Sequence, residues 1–269
     1  MKTEARAEHR SRETFPHHTR LLLQYDGTDY HGWQIQRDAR TIQGEVERAL
    51  LEIFGVPIRV AGASRTDAGV HALGQVACFS SDLGIEPDGL LKALNSLLPR
   101  DIRVVAVRPA SPEFHARFSP GKKEYRYRIS TGPVVSPFLY RYVTPARCRL
   151  SLEKMQAAAA LFCGELDMRA FTNTGSDQRT FVRRIYSSSV EAAGDEIHYS
   201  IAASGFLKQM VRNIVGTLVE VGRGRLDSDE VKSIIASGDR KRAGPTMEAR
   251  GLCLMRVTYL GEAETISTA

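Results

Sequence analysis

A chain of 269 residues, 42% hydrophobic and 25% charged, is long enough for one large domain or two ordinary ones around a sizeable core. Its four cysteines, Cys78, Cys148, Cys163 and Cys253, stand far apart with no C-x-x-C pair, which argues against a disulfide framework and a zinc site; no metal is expected. A formal charge of +6 favours polyanionic partners, and no run approaches the roughly 18 apolar residues of a membrane span, so a cytoplasmic protein without membrane attachment is expected.

Residues 1–18 are charged, lack the apolar stretch of a signal peptide and are read as a disordered extension, with His9, His17 and His18 a surface tract rather than metal ligands. Residues 21–25 form a short buried strand that stops at the turn pair Asp26-Gly27. From the N-cap Thr41, apolar residues Ile42, Val46, Ala49, Leu50, Ile53 and Phe54 recur at helical spacing until Gly55. Two strands, 58–63 and 75–80, flank the connection 64–74; a helix with Pro87 in its first turn runs to Leu97, and 102–107 is a last strand. Pro109, Ala110, Ser111 and Pro112 then interrupt the pattern. Beyond them 124–130 alternates as a strand, Ser151 opens a helix that Gly164 stops, and 180–190 with 197–203 forms a hairpin across Gly194-Asp195. A helix follows with Met210, Val211, Ile214, Val215, Leu218 and Val219 on one face. The capping box Asp227-x-x-Glu230 opens an extra helix, and 252–259 closes the set.

The order β-α-β-β-α-β occurs twice, which predicts an α+β fold of two ferredoxin-like (RRM-like) halves side by side, with a cleft between them as the natural ligand site. The expected division is 1–18 extension, 19–110 N-terminal domain, 111–262 C-terminal domain and 263–269 tail.

Charge is concentrated. Between Arg103 and Arg149 lie Arg108, Arg117, Lys122, Lys123, Arg126, Arg128, Arg141 and Arg147, with only Glu113 and Glu124 against them and Tyr125, Tyr127, Tyr140 and Tyr142 interleaved. Such a strip attracts phosphates and offers faces to unstacked bases, although alternating arginines also suit the solvated side of a strand. Two more clusters, Arg179, Arg183 and Arg184, then Lys208, Arg212, Arg223 and Arg225, favour structured RNA as the partner.

Ser64-Arg65-Thr66-Asp67-Ala68-Gly69-Val70-His71-Ala72 joins two predicted strands. Its small residues let a bulky substrate approach the backbone, and in an extended segment Arg65 and Asp67 face the same side. A carboxylate beside a guanidinium stays ionised, as a nucleophile or base must. By spacing alone, Asp-Ala-Gly is also ordinary turn chemistry. Asp26 and Asp29 are read as turn formers rather than a glycosidase pair, His31 and His71 as local hydrogen-bonding groups, and Trp33 as either core or RNA-facing.

The string around Asp67 resembles the active-site motif of the tRNA pseudouridine synthases of the TruA type. Tyr25-Asp26-Gly27-Thr28-Asp29-Tyr30-His31-Gly32-Trp33-Gln34 resembles their N-terminal signature, and Thr41-Ile42-Gln43 follows in order. Phe114-His115-Ala116-Arg117-Phe118, Lys123-Glu124-Tyr125-Arg126-Tyr127, Gly205-Phe206-Leu207, Met210-Val211-Arg212-Asn213-Ile214-Val215-Gly216, Ala243-Gly244-Pro245-Thr246 and Ala249-Arg250-Gly251-Leu252 continue it. Ser64 departs from the glycine of many relatives. The resemblance implies that Asp67 is the catalytic carboxylate, acting without metal or organic cofactor. It implies that Tyr125 packs against the target base, that Arg212 pairs with the aspartate and that Arg65 helps displace the base. It also implies a homodimer acting on uridines at about positions 38 to 40 in the anticodon arm of tRNA, where a base must leave its stack before its glycosidic bond is reachable. Two other readings are a non-catalytic pair of RRM-like modules, for which the RNP1 pattern is lacking, and a metal-dependent nucleic-acid hydrolase, which needs clustered carboxylates.

Overall fold

The computed structural model of the chain describes residues 16–173 and 180–259. Its elements are β1 (His17–Tyr25), α1 (Ile42–Phe54), β2 (Ala61–Gly62), β3 (His71–Ser81), α2 (Pro87–Leu97), β4 (Ile102–Pro109), β5 (Pro120–Ser130) and β6 (Thr144–Pro145), then α3 (Leu152–Ala160), β7 (Gly164–Asp167), β8 (Val182–Ala193), β9 (Glu196–Ala203), α4 (Met210–Gly222), α5 (Ser228–Ser237) and β10 (Leu252–Tyr259). Most of the extension, the tail 263–269 and Arg179 lie outside the described residues. The extension ends before residue 18. His17 and His18 already pair with Ser81 and Ser80, and Ser80 Oγ lies 2.8 Å from His18 Nδ1.

Local chemistry sets most helix limits. Thr41 Oγ1 accepts from Gly44 N at 3.2 Å, and Gly55, at φ 71°, closes α1 while Ile42, Val46, Ala49 and Leu50 are buried. The capping box of α5 is complete, Asp227 accepting from Glu230 N and Glu230 returning to Asp227 N, each at 2.8 Å. Asp227→Ala is expected to lower stability by about 1 kcal/mol in urea denaturation while leaving catalysis unchanged, because α5 is not part of the site described below.

The strands form one mixed sheet, ordered β4-β1-β3-β10-β5-β9-β8-β7, with β2 on β3 and β6 on β5. Its seam is a short parallel pairing of β10 on β3, Cys253 opposite His71 and Leu254 opposite Ala72. The two halves of the chain therefore share main-chain hydrogen bonds, and the last strand abuts the strand that follows the Asp67 loop. On the first half α1 packs with α2, and α2 on β4; on the second, α3 packs on β8 and against α4.

Two strands differ from expectation. The strand expected over 58–63 shrinks to Ala61–Gly62, because side chains of α1 satisfy the Val60 backbone: Glu47 Oε1 accepts from Val60 N at 3.0 Å and Gln43 Nε2 donates to Val60 O at 3.0 Å. Trp33 settles in the core, 1% exposed, and a Cβ on Gly62 would stand 2.3 Å from its indole. β7, which no periodicity announces, pairs with β8 from Gly164 opposite Ile185 to Asp167 opposite Val182. No described helix is long and apolar enough to cross a membrane.

Candidate active site

The loop from β2 to β3 alternates like an extended segment. Thr66 turns inward, where its Oγ1 shares a 2.8 Å hydrogen bond with Tyr25 OH and its carbonyl accepts from Trp33 N at 3.0 Å. Arg65 is consequently exposed, and Asp67 is half-buried on the same side. The backbone then turns as Asp-Ala-Gly chemistry demands: Val70 N donates to Asp67 O at 3.1 Å and Gly69 adopts φ 78°. Asp67 is thus a turn residue by backbone and a candidate catalyst by side chain.

Two glycines of the N-terminal signature bring a second loop against this one. A Cβ on Gly32, which has φ 88°, would lie 2.5 Å from Thr66 O, and one on Gly27 would lie 2.0 Å from Val70 O. Gln75, fully buried in β3, clamps Ser64 from both ends of its amide, Oε1 accepting from Ser64 N at 3.1 Å and Nε2 donating to Ser64 O at 2.7 Å. A lone amide among the apolar residues of β3 was the signal for this clamp.

The other half of the chain supplies the remaining groups. Apart from Arg212 and Glu220, every residue of α4 is buried. The Arg212 Nη1 donates to Asp67 Oδ2 at 3.2 Å, the side chains being 14% and 27% exposed. Its Nε donates to Met247 O at 2.6 Å, so the guanidinium is anchored before it meets the carboxylate. Met247 reaches that position because its segment packs into α4: a Cβ on Gly216 would lie 1.7 Å from Pro245 O. Asn213, wholly buried, reinforces the join through Oδ1, which accepts from Thr246 Oγ1 at 2.6 Å and from Arg240 Nη2 at 3.0 Å. Asp67 Oδ1 has no hydrogen-bond partner among the described residues, which leaves one carboxylate oxygen for a substrate.

Tyr125, on the central strand β5, shares a 2.7 Å hydrogen bond with Ser64 Oγ, so the serine ties the loop to the tyrosine. Phe206 meets the Tyr125 ring edge-on at 4.9 Å and 81°. Burial pushes the phenol well above its ordinary range and the Asp67 carboxylate adds to the rise, outweighing the Ser64 hydrogen bond. Tyr125 is therefore neutral, and at 6% exposure it presents little open ring face.

Other candidates serve the scaffold. The buried ring of His71 has Nε2 at 3.0 Å from Arg141 O and 3.1 Å from Arg250 O, which requires a proton there. Its Nδ1 faces Gly27 N and Asp26 Oδ1, each at 3.1 Å; a neutral ring accepts from Gly27, a protonated one donates to Asp26. Burial works to raise the Asp26 carboxyl, but hydrogen bonds with His71, Thr28 and Tyr142 prevail and hold it well below the usual carboxylate range. His31 is exposed, and Asp29 pairs with Arg141 at 3.2 Å. Among the described residues, no three His, Cys, Asp or Glu side chains gather as metal ligands would.

The basic strip divides by strand alternation. Arg126 and Arg128 point away from Tyr125 and Tyr127, toward a cavity of about 760 Å³ that Cys253, Met255 and His198 also line, and Arg128 is held by Glu196 at 2.6 Å. Arg103 donates to the carbonyls of Pro99 and Ile102, each at 2.7 Å. Burial pushes the Cys253 thiol up to about 12, which leaves it inert.

Comparison with known proteins matches this chain to the family model described as tRNA pseudouridine synthase, over residues 22–119 and 158–260. The tRNA pseudouridine synthase A of Acetivibrio thermocellus is 45% identical over 240 residues, covering 89% of this chain and 98% of the relative. That of Solidesulfovibrio magneticus is 47% identical over 249 residues, covering 89% and 90%. The chain belongs to the tRNA pseudouridine synthase family. As a TruA-type pseudouridine synthase it is an isomerase that modifies tRNA. Asp67 and Arg212 fall in the two matched stretches of the family model, whereas Tyr125 falls between them. A solved structure of a Cbf5-Nop10-Gar1 complex holds a chain with a TM-score of 0.36 and 12% identity, covering 87% of this chain and 57% of that one, a likeness too distant to inform the site.

Proposed function

We propose that this synthase converts uridine to pseudouridine at about positions 38 to 40 of the anticodon arm, with Asp67 as the catalytic carboxylate on a flipped nucleotide and no cofactor. The 3.2 Å pairing of Arg212 with Asp67, made across the two halves of the chain, carries this reading. The reaction breaks the N1–C1′ bond, turns the base, joins C5 to C1′, releases the C5 hydrogen as a proton and protonates N1, so the nucleoside keeps its composition. Arg212 orients Asp67 through Oδ2, and Oδ1 is left for the sugar. Tyr125 bounds the base beside Ser64 and Phe206. Arg65, exposed at the loop's outer side and in no ion pair among the described residues, is available to fill the space the base vacates.

The division at residue 110 and the ferredoxin-like reading of each half are part of the same proposal. The order β4-β1-β3 with β2 alongside, and the order β10-β5-β9-β8, support them. The working form is a cytoplasmic homodimer in which each tRNA touches both subunits, as the family resemblance implies.

Pseudouridine mapping on tRNA from cells lacking the protein tests the proposal. Modification is expected to vanish at about positions 38 to 40 and to return with the wild-type chain. Modification that persists there would refute the assignment, and loss elsewhere would move it to another arm. Continued activity in excess chelator is expected, and its abolition would favour the hydrolase-like metal reading.

A further inference from the structure

Lys123 lies on β5 two residues before Tyr125, on the same face of the strand, and its ammonium donates to the carbonyl of Ala63, the residue that precedes Ser64. Among the described residues, the charged groups that face it are Arg117, from the segment before β5, and Arg183, from β8. Arg117 is in turn within electrostatic reach of Arg65 on the Asp67 loop. A Cβ on Gly205 would stand 3.8 Å from Arg183 Nε, which places that guanidinium beside the residue leading into Phe206 and hence beside the Tyr125 edge of the site. Glu124 points to the other side of the strand, where Lys122 and Arg256 hold it at 3.1 and 2.9 Å. β9 and β10 put Ala203 and Val257 opposite Lys123.

Cations therefore converge beside the Asp67 loop, and among the described residues Arg65, Arg117 and Lys123 form no ion pair. Elsewhere on this molecule carboxylates meet such groups, as Glu196 meets Arg128 and Glu45 meets Arg48. Half-burying an ammonium beside like charges opposes folding, and an arrangement of this kind persists where a functional anion completes it. Phe118, 74% exposed under the Arg117 guanidinium, adds an aromatic face at the same place.

We infer that Lys123 and Arg117, with Arg183 beside them, form a subsite for one backbone phosphodiester of the bound RNA, next to the nucleotide presented to Asp67. The inference rests on the proposed RNA reaction and adds to it the group that fixes the strand's register. Lys123 joins the phosphate to the Asp67 loop through Ala63, so strand binding and loop position are coupled. Burial, with Arg117 and Arg183 adding to it, lowers the Lys123 ammonium to about 8. A bound phosphate opposes that shift, so above about pH 8 the free subsite loses the Lys123 proton that the occupied one keeps, and its share of RNA affinity fades as pH rises beyond that value.

The test is tRNA binding by Asp67→Asn protein, alone and with Lys123→Met, Arg117→Gln or both, at several salt concentrations and from about pH 6.5 to 9, either side of the value of about 8 for Lys123. Each added substitution is expected to weaken binding roughly tenfold and to make the log-affinity against log-salt slope shallower, the two together by about 0.7–0.9, the value of one phosphate. Lys123→Met is also expected to flatten the fall in affinity above about pH 8. Unchanged slopes in every variant would overturn the inference, and a Lys123→Met chain that keeps Asp67 and loses turnover, with the slope unchanged in the Asp67→Asn background, would show a strut for the loop and no phosphate contact. Arg117 is exposed and its replacement is expected to leave folding intact, so it decides the matter if Lys123→Met fails to fold. Competition by inorganic phosphate alone, without any slope change toward tRNA, would mark a free-anion site instead. If wild-type protein binds tRNA but modifies no uridine, the proposed reaction fails while the subsite stands.

Discussion

Asp67→Ala is expected to abolish uridine isomerisation, lowering turnover by roughly 10⁴-fold or more, the scale of removing a nucleophile from otherwise intact machinery. Single-turnover release of tritium from C5-labelled uridine in tRNA measures it directly, because forming the C5–C1′ bond expels that hydrogen. Folding should survive, since the side chain is 27% exposed and the turn is held by backbone groups of Asp67, Thr66 and Gly69 that alanine keeps. Asp67→Asn is the sharper probe. It preserves the shape and an oxygen for Arg212, so tRNA affinity should stay within a few-fold while chemistry is lost. Turnover near wild type in either variant would remove Asp67 from the mechanism and leave an RNA-binding fold whose catalyst lies elsewhere.

Replacement of Arg212 should be nearly as damaging by a different route. Its guanidinium spans two acceptors, Met247 O at 2.6 Å and Asp67 Oδ2 at 3.2 Å, and is itself only 14% exposed. Arg212→Met leaves the carbonyl unpaired and the carboxylate free to turn. We expect kcat to fall by roughly 10²- to 10³-fold with little change in KM for tRNA, and stability to fall by about 2 kcal/mol, below the range for a fully buried pair because Asp67 is partly solvated. Arg212→Lys should recover little, since a point charge cannot serve both acceptors with the planar fork's geometry. The kcat and KM split is the informative readout: a rise in KM with unchanged kcat would make Arg212 an RNA contact and not a positioning group for Asp67.

Much of the scaffold is legible along the chain because its causes are local. Thr41 and Gly55 bound α1, Asp227 and Glu230 open α5, and alternation in β5 places Tyr125 and Tyr127 opposite Arg126 and Arg128, all from interactions within a few residues. The 58–63 strand is largely lost for a non-local reason, since Gln43 and Glu47 of α1 take over the Val60 hydrogen bonds. Trp33 was open to two readings until Gly62 closed beneath it. The close spacing of Arg65 and Asp67 suggests a local pair, yet the loop sends Arg65 into solvent and Asp67 meets a guanidinium 145 positions away.

The sequence by itself determined the order of the helices and the longer strands, the family motifs and the turn that bears Asp67, because periodicity, caps and turn residues act over a few residues. The resemblance named Arg212 as the partner of that carboxylate, but only the tertiary structure decided how its guanidinium is anchored on Met247 and which groups clamp the Asp67 loop. Those choices depend on the β3–β10 seam and on the packing of Gly216 against Pro245, contacts between distant segments that no local spacing encodes.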